Sequence, residues 1–245
     1  YIITLNIICF ILLSTCTVVY ADIPDPPSIL GETCILIDVE TGKILYEQDA
    51  YKPMAPASTT KIMTAILALE KGDLEDIVTI SDIPPAVTGS SIYLSEGEKL
   101  TLEEILYGML LDSGNDAATA VAEHIGEGSI SLFINMMNDK ATEIGARDTN
   151  YVNPTGLTDE GHMTTAYDLA LISRYALLNF PKFREIVSTK TVEIPWHGMN
   201  TTRKLENTNR LLWSYDGADG VKTGFTSQAG RTLVATATKD DWQLM

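Results

Sequence analysis

The sequence predicts a mixed α+β fold, with one antiparallel sheet built from both ends of the chain and a helical lobe beside it. Three observations predict this. Strand-patterned runs come early, Thr33 to Val39 and Lys43 to Glu47 around Glu40-Thr41-Gly42, and return at Thr191 to Ile194 and from Val221 onward. Between them, from Ser58 to about Leu178, apolar residues recur mainly at helical spacing. No repeat, low-complexity tract or linker divides the 245 residues, so they suit one domain, or one domain with a helical insert.

The chain opens on an uncharged and almost wholly apolar run, Tyr1 to Val19, ending in Val19-Tyr20-Ala21, a small-residue cleavage site. Residues 1–21 are therefore expected to be a signal peptide. It lacks an initiating Met and a basic start, so it is expected to be incomplete at its N-terminus. A membrane anchor is the competing reading, although the run is at the short limit for spanning a bilayer.

Ser58-Thr59-Thr60-Lys61 comes next and is followed by Ile62, Met63, Ala65, Ile66, Leu67 and Leu69. Residues i and i+3 share a helical face, so the Lys61 amine can reach the Ser58 hydroxyl. A helix that is apolar nearly all round is enclosed on every side. A lysine there is expensive to charge, and a neutral lysine can activate a serine. Taken alone, S-x-x-K also describes an ordinary helix start.

Thr101-Leu102-Glu103-Glu104 is a capping box, and Leu102, Ile105, Leu106, Met109 and Leu110 continue it as a helix. That helix must stop near Asp112. Asn115 or Asp116 can cap the next one, expected over Ala117 to Ile125. Ser113-Gly114-Asn115 thus sits in a tight joint that can point a hydroxyl and a carboxamide outward together. A further helix is expected over Ile130 to Ile144, closed by Gly145.

Lys222-Thr223-Gly224 precedes Phe225-Thr226 and a strongly β-patterned run, Arg231 to Thr238. On a strand edge these residues make a surface that an extended substrate can lie against. Lys239-Asp240-Asp241 reads as a turn, and Trp242 to Met245 as the opening of another strand.

The formal net charge is −16, which argues against nucleic acid as a partner. Cys9 and Cys16 lie in the leader, so Cys34 is alone in the remaining chain and no internal disulfide is available. Cys34 is expected to be a buried small hydrophobe. His124, His162 and His197 show no ligand spacing, and neither a metal nor a cofactor is expected.

The three motifs in this order match the set found in penicillin-binding proteins and class A β-lactamases. Gly89-Ser90-Ser91, Asn115-Asp116-Ala117, Asn153-Pro154-Thr155-Gly156-Leu157, Gly161-His162, Thr165-Ala166-Tyr167-Asp168 and Asn207-Thr208-Asn209 add to the match. From about Ile29 to Met245 the chain resembles the serine D-alanyl-D-alanine carboxypeptidases, low-molecular-weight penicillin-binding proteins with a β-lactamase/DD-peptidase-like fold.

The resemblance implies a DD-peptidase catalytic domain over residues 22–245 with its active site between the two lobes. A C-terminal strand and helix, and an arginine for the substrate carboxylate, are expected beyond Met245. Ser58 would be the acylated nucleophile, Lys61 its general base, and Ser113 the group that passes the proton to the leaving D-alanine. Lys222 would help keep Lys61 neutral, Asn115 would hold a substrate amide, and Thr223 would face the substrate carboxylate beside Gly224. The backbone N–H groups of Ser58 and Phe225 would form the oxyanion hole.

The implied substrate is a peptidoglycan stem peptide ending in D-Ala-D-Ala, with β-lactams as covalent inhibitors. The implied location is outside the cytoplasmic membrane, secreted or at its outer face, with membrane association through an uncleaved leader or through sequence past Met245 as the alternative to release. Two rival functions are a β-lactamase, for which no E-x-x-L-N element is recognisable in Asn153 to Asp168, and a penicillin-binding or sensor protein that acylates without turnover.

Overall fold

Runs rich in branched apolar residues, Ile35-Leu36-Ile37 and Ile44-Leu45, fold the first part of the unit Gly31–Met245 into a hairpin, β1 (Cys34–Ile37) against β2 (Ile44–Gln48). Its turn is fixed by the Asp38 carboxylate, which accepts from Thr41 N at 2.7 Å and Thr41 Oγ1 at 2.8 Å. The computed structural model describes residues 26, 28–199 and 201–245. The expected leader, residues 1–21, lies outside the described residues.

The end of the chain supplies β7 (Ala218–Thr226), β8 (Gly230–Lys239) and β9 (Trp242–Leu244), paired antiparallel in that order. The sequence predicts the opening of a strand at Trp242, and the structure forms it. In the structure those few residues already pair along both edges. Ile37 N donates to Met245 O at 2.8 Å, Met245 N to Ile37 O at 3.0 Å, and Val39 N to Gln243 O at 3.1 Å. The hydrogen-bonded order is therefore β7-β8-β9-β1-β2, one antiparallel sheet from both ends of the chain, as the sequence predicts.

A 3₁₀ turn, Ala57–Thr60, leads into α1 (Lys61–Lys71) at the centre of the helical lobe. Ile62, Met63, Ile66 and Leu67 are fully buried. Burying each stabilises the fold by roughly 1.5–3 kcal/mol, enough together to offset the several kcal/mol that a buried lysine costs. Around α1 lie α2 (Leu102–Leu110), α3 (Asn115–Ile125), α4 (Ile130–Ile144), α5 (Ala166–Asn179) and α6 (Pro181–Ser188). The capping box of α2 forms, with Glu104 N donating to Thr101 Oγ1 at 3.2 Å and Thr101 N to Glu104 Oε2 at 2.8 Å. Gly145 ends α4 at φ 96.

Three local expectations change. α3 starts at Asn115 with Gly114 as its cap, because the Asn115 and Asp116 side chains are engaged elsewhere. Cys34 is partly rather than fully buried. Two hairpins interrupt or extend the pattern. β3 (Ile77–Thr79) pairs with β4 (Lys99–Thr101), and β5 (Thr191–Trp196) runs past Ile194 to pair with β6 (Thr201–Glu206).

Arg203 conceals β6 from a pattern reading. It faces inward, 4% exposed, in a two-pronged ion pair with Glu98 at 2.6 and 2.7 Å, and its guanidinium lies 4.8 Å from the Trp196 ring centre. A short helix, α7 (Leu211–Ser214), precedes β7. Among the described residues no helix is long and apolar enough to cross a membrane.

Candidate active site

Ser58 lies in the 3₁₀ turn one residue after Ala57, whose backbone is held at φ 50. A left-handed alanine costs about 1–3 kcal/mol and persists only where its surroundings impose it. Here two glycines press on it. A Cβ at Gly156 would lie 1.8 Å from Ala57 O, and a Cβ at Gly224 would lie 3.1 Å from Ala57 Cβ and 2.9 Å from Ser58 N. The turn is thus clamped between the Asn153–Leu157 loop and β7.

Lys61 is completely buried. Its Nζ stands 3.1 Å from Ser58 Oγ, 2.7 Å from Asn115 Oδ1 and 2.7 Å from the Thr155 carbonyl. The orientation of the Asn115 amide follows from its neighbours. Its Nδ2 donates to the Thr88 carbonyl at 2.8 Å, so Oδ1 must face Lys61. Burial first, and then the Lys222 charge, hold the Lys61 ammonium well below its ordinary range, while Asp116 opposes them.

Asp116 is buried and anchors the neighbouring loop. Its carboxylate accepts from Ser91 Oγ at 2.6 Å, Ile92 N at 3.1 Å and Leu94 N at 3.0 Å. That loop also presents the Ser90 carbonyl to Asn115 N at 2.7 Å. Ser113 occupies the α2–α3 joint at φ 66 and is nearly buried. Its hydroxyl makes none of the three hydrogen bonds of Lys61. The amide of Asn115, expected from the resemblance to meet a substrate, already makes one bond at each end.

On β7, Lys222 is 1% exposed and Phe225 is 67% exposed. Lys222 Nζ donates to the Thr223 carbonyl at 3.1 Å. Thr223 Oγ1 bonds Thr208 Oγ1 at 2.6 Å, and Thr208 N and Oγ1 both donate to the Leu111 carbonyl. Asn209 Nδ2 donates to the Gly220 carbonyl at 2.7 Å. The Asn207–Asn209 stretch therefore stitches β7 to the α2–α3 joint. Sequence reasoning gave Thr155 and Thr208 no role, and Asp116 only that of a helix cap. Thr155 acts through a backbone atom and leaves no side-chain signal.

Burial pushes Lys222 down from 10.5 to about 7, partly opposed by Asp112. Between those values the unfolded chain binds more protons than the folded one, so this group makes stability rise with pH over that window. Below about pH 7 both states are protonated and the penalty is fully present. In urea titrations, the stability of the native chain relative to Lys222→Met should increase from pH 7 to pH 9. A flat difference would place Lys222 in a polar setting that the buried geometry excludes.

Residues 20–245 match the family described as D-alanyl-D-alanine carboxypeptidase. The chain is 43% identical over 216 residues to the D-alanyl-D-alanine carboxypeptidase DacF of Bacillus subtilis, covering 85% of this chain and 54% of that protein. It is 36% identical over 235 residues to DacA of Escherichia coli, covering 91% and 57%. The chain thus spans little more than half the length of these relatives. Its fold matches a single-residue variant of the Streptomyces K15 DD-transpeptidase with a TM-score of 0.84 at 34% identity, covering 89% of this chain and 90% of that one. The motifs stand in the family's order, the antiparallel sheet and helical lobe are shared, and the match runs through nearly the whole described unit, so this chain belongs to the D-alanyl-D-alanine carboxypeptidase family.

Proposed function

We propose that this chain carries the catalytic site of a serine D-alanyl-D-alanine carboxypeptidase acting outside the cytoplasmic membrane on peptidoglycan stem peptides. One observation carries the reading, the set of three contacts around Lys61 Nζ. A neutral amine has two N–H donors and one lone pair. Asn115 Oδ1 and the Thr155 carbonyl can only accept, so they take the two hydrogens. The lone pair is left facing the Ser58 hydroxyl, 3.1 Å away. That is the arrangement of a base aimed at its nucleophile.

In the proposed reaction Ser58 Oγ attacks the carbonyl of the penultimate D-alanine while Lys61 takes its proton. The oxyanion is held by the Ser58 and Phe225 N–H groups. Losing one such donor costs roughly a hundredfold or more in rate. The C–N bond then breaks, and the departing amine of D-alanine receives a proton through Ser113, with Lys222 supplying the nearby positive charge. Water hydrolyses the Ser58 ester and frees the enzyme. Thr223 and Gly224 line the strand edge where the peptide's terminal carboxylate lies. Asn115 has a task before any substrate arrives, since it fixes the amine of Lys61. A β-lactam would enter the same path as far as the acyl-enzyme.

Incubation with penicillin should add one penicilloyl group to the intact protein, and fragmentation should place it on Ser58. The protein should also release D-alanine from a peptide ending in D-Ala-D-Ala and hydrolyse penicillin only slowly. An adduct on another residue would overturn the site. Rapid penicillin hydrolysis without D-alanine release would assign a β-lactamase instead.

A further inference from the structure

His162 takes no part in the proposed chemistry, yet it is 2% exposed and fully engaged. Its Nδ1 lies 3.1 Å from Val152 N, and its Nε2 lies 2.8 Å from Thr60 Oγ1. The Val152 N–H can only donate, so Nδ1 must be the ring nitrogen with the lone pair. The proton therefore sits on Nε2 and is donated to Thr60. Burial pushes this imidazole down to about 4, with Asp159 opposing, so the ring is neutral across the neutral pH range and the tautomer is stable. Tyr151 packs beside it at 5.7 Å between ring centres.

The two partners belong to the two halves of the site. Thr60 is the residue before Lys61 in the nucleophile turn. Val152 opens the loop whose Thr155 carbonyl lies on Lys61 Nζ. The loop has internal order of its own, since Asn153 Oδ1 accepts from Thr155 N, Thr155 Oγ1 and Gly156 N. It meets α1 again where Thr64 Oγ1 donates to the Pro154 carbonyl at 2.8 Å. A preformed loop needs fixing at few points, and the His162 side chain ties its start to the turn before Lys61.

We propose that His162 is a positioning residue: by bridging Thr60 and Val152 it holds the Thr155 carbonyl on the Lys61 amine and so aims that amine at Ser58. This rests on the reading of Lys61 as the base. His162→Asn leaves a group that can accept from Val152 but is too short to reach Thr60, and Thr60→Val deletes the same bond from its other end. With the bridge cut, the Thr155 carbonyl drifts, and a displacement of about 1 Å can cost on the order of a hundredfold in rate.

A carbonyl acceptor stabilises the ammonium form more than the neutral amine. Losing it should move the Lys61 titration to lower pH while the maximal acylation rate falls. The other charges acting on Lys61, Lys222 and Asp116, are left in place by both variants.

The test measures penicillin acylation per titrated active site against pH in the native chain, His162→Asn, Thr60→Val and the double variant. Alongside it, 13C-labelled lysine NMR follows the titration of Lys61 with no substrate present. The expected result is a tenfold to hundredfold lower plateau in each single variant, an acid limb displaced to lower pH, a matching downward move of the Lys61 midpoint, and a double variant little worse than either single one. An unmoved limb and an unmoved Lys61 midpoint, with losses that track only the fall in melting temperature, would overturn the proposal. Should His162→Asn not fold, Thr60→Val carries the same comparison. If penicillin labels nothing in the native chain, the reading of the reaction fails, while the NMR comparison still decides the role of His162.

Discussion

Lys61→Arg should acylate with penicillin roughly 10²–10⁴-fold more slowly than the native chain, the usual contribution of a positioned general base. The substitution keeps a long cationic side chain, so a purely electrostatic role would survive it. A guanidinium stays protonated at any working pH and cannot accept the proton of Ser58. Nor can the site adapt. Lys61 is fully buried, its Nζ is enclosed by Ser58, Asn115 and Thr155, and burial together with Lys222 already disfavours a cation there. Lys61→Met should be similarly slow, because it removes the base and leaves Asn115 Oδ1 and the Thr155 carbonyl without a donor. Circular dichroism distinguishes a folded slow enzyme from an unfolded one. Near-normal acylation by folded Lys61→Arg would move the base elsewhere, with the buried Lys222 the first alternative.

The part of this site that was legible in the sequence is the part made of side chains in short motifs. Ser58 and Lys61 share a helical face, and the apolar run after them states that the lysine is buried. The capping box at Thr101 and Glu104 and the glycine stop at Gly145 appear where local chemistry puts them. β6 was not legible because Arg203 breaks the apolar alternation. Its partner Glu98 is 105 residues away, and only the folded chain brings a charge pair to rescue an inward arginine.

β3 and β4 have three residues each, too few for a period to show. The start of α3 was misplaced by two residues because Asn115 and Asp116 are both good caps by type. Long-range bonds to Lys61 and to the Ser91–Leu94 loop claim their side chains instead. Gly161-His162 counted only toward the family match, since a single histidine in a loop has no spacing from which a role can be read. Its meaning comes from Thr60, 102 positions earlier.

The contact that the sequence least reveals is the Thr155 carbonyl, because every residue has one. What the sequence does carry is the condition for its placement, the glycine that follows. Gly156 sits at φ +87, and a Cβ there would meet Ala57 O at 1.8 Å, Ala57 C at 2.3 Å and Ser58 N at 2.9 Å. All three are backbone atoms of the Ala57–Thr60 turn, so no side chain can rotate away to make room. Gly156→Ala should therefore push the Asn153–Leu157 loop off that turn and withdraw the Thr155 carbonyl from Lys61.

The expected result is a loss of acylation on the order of a hundredfold or more, and a fall in stability beyond the roughly 1–2 kcal/mol that a left-handed alanine costs by itself. Gly145→Ala supplies the comparison. It imposes the same kind of strain at φ +96, but with nothing within 4 Å of the added methyl. That variant should lose the backbone term alone, about 1–2 kcal/mol by urea titration, and keep its acylation rate per active site. If Gly156→Ala also kept its rate, the loop would not be what holds Lys61 in line. The orientation of the amine would then rest on Asn115 alone.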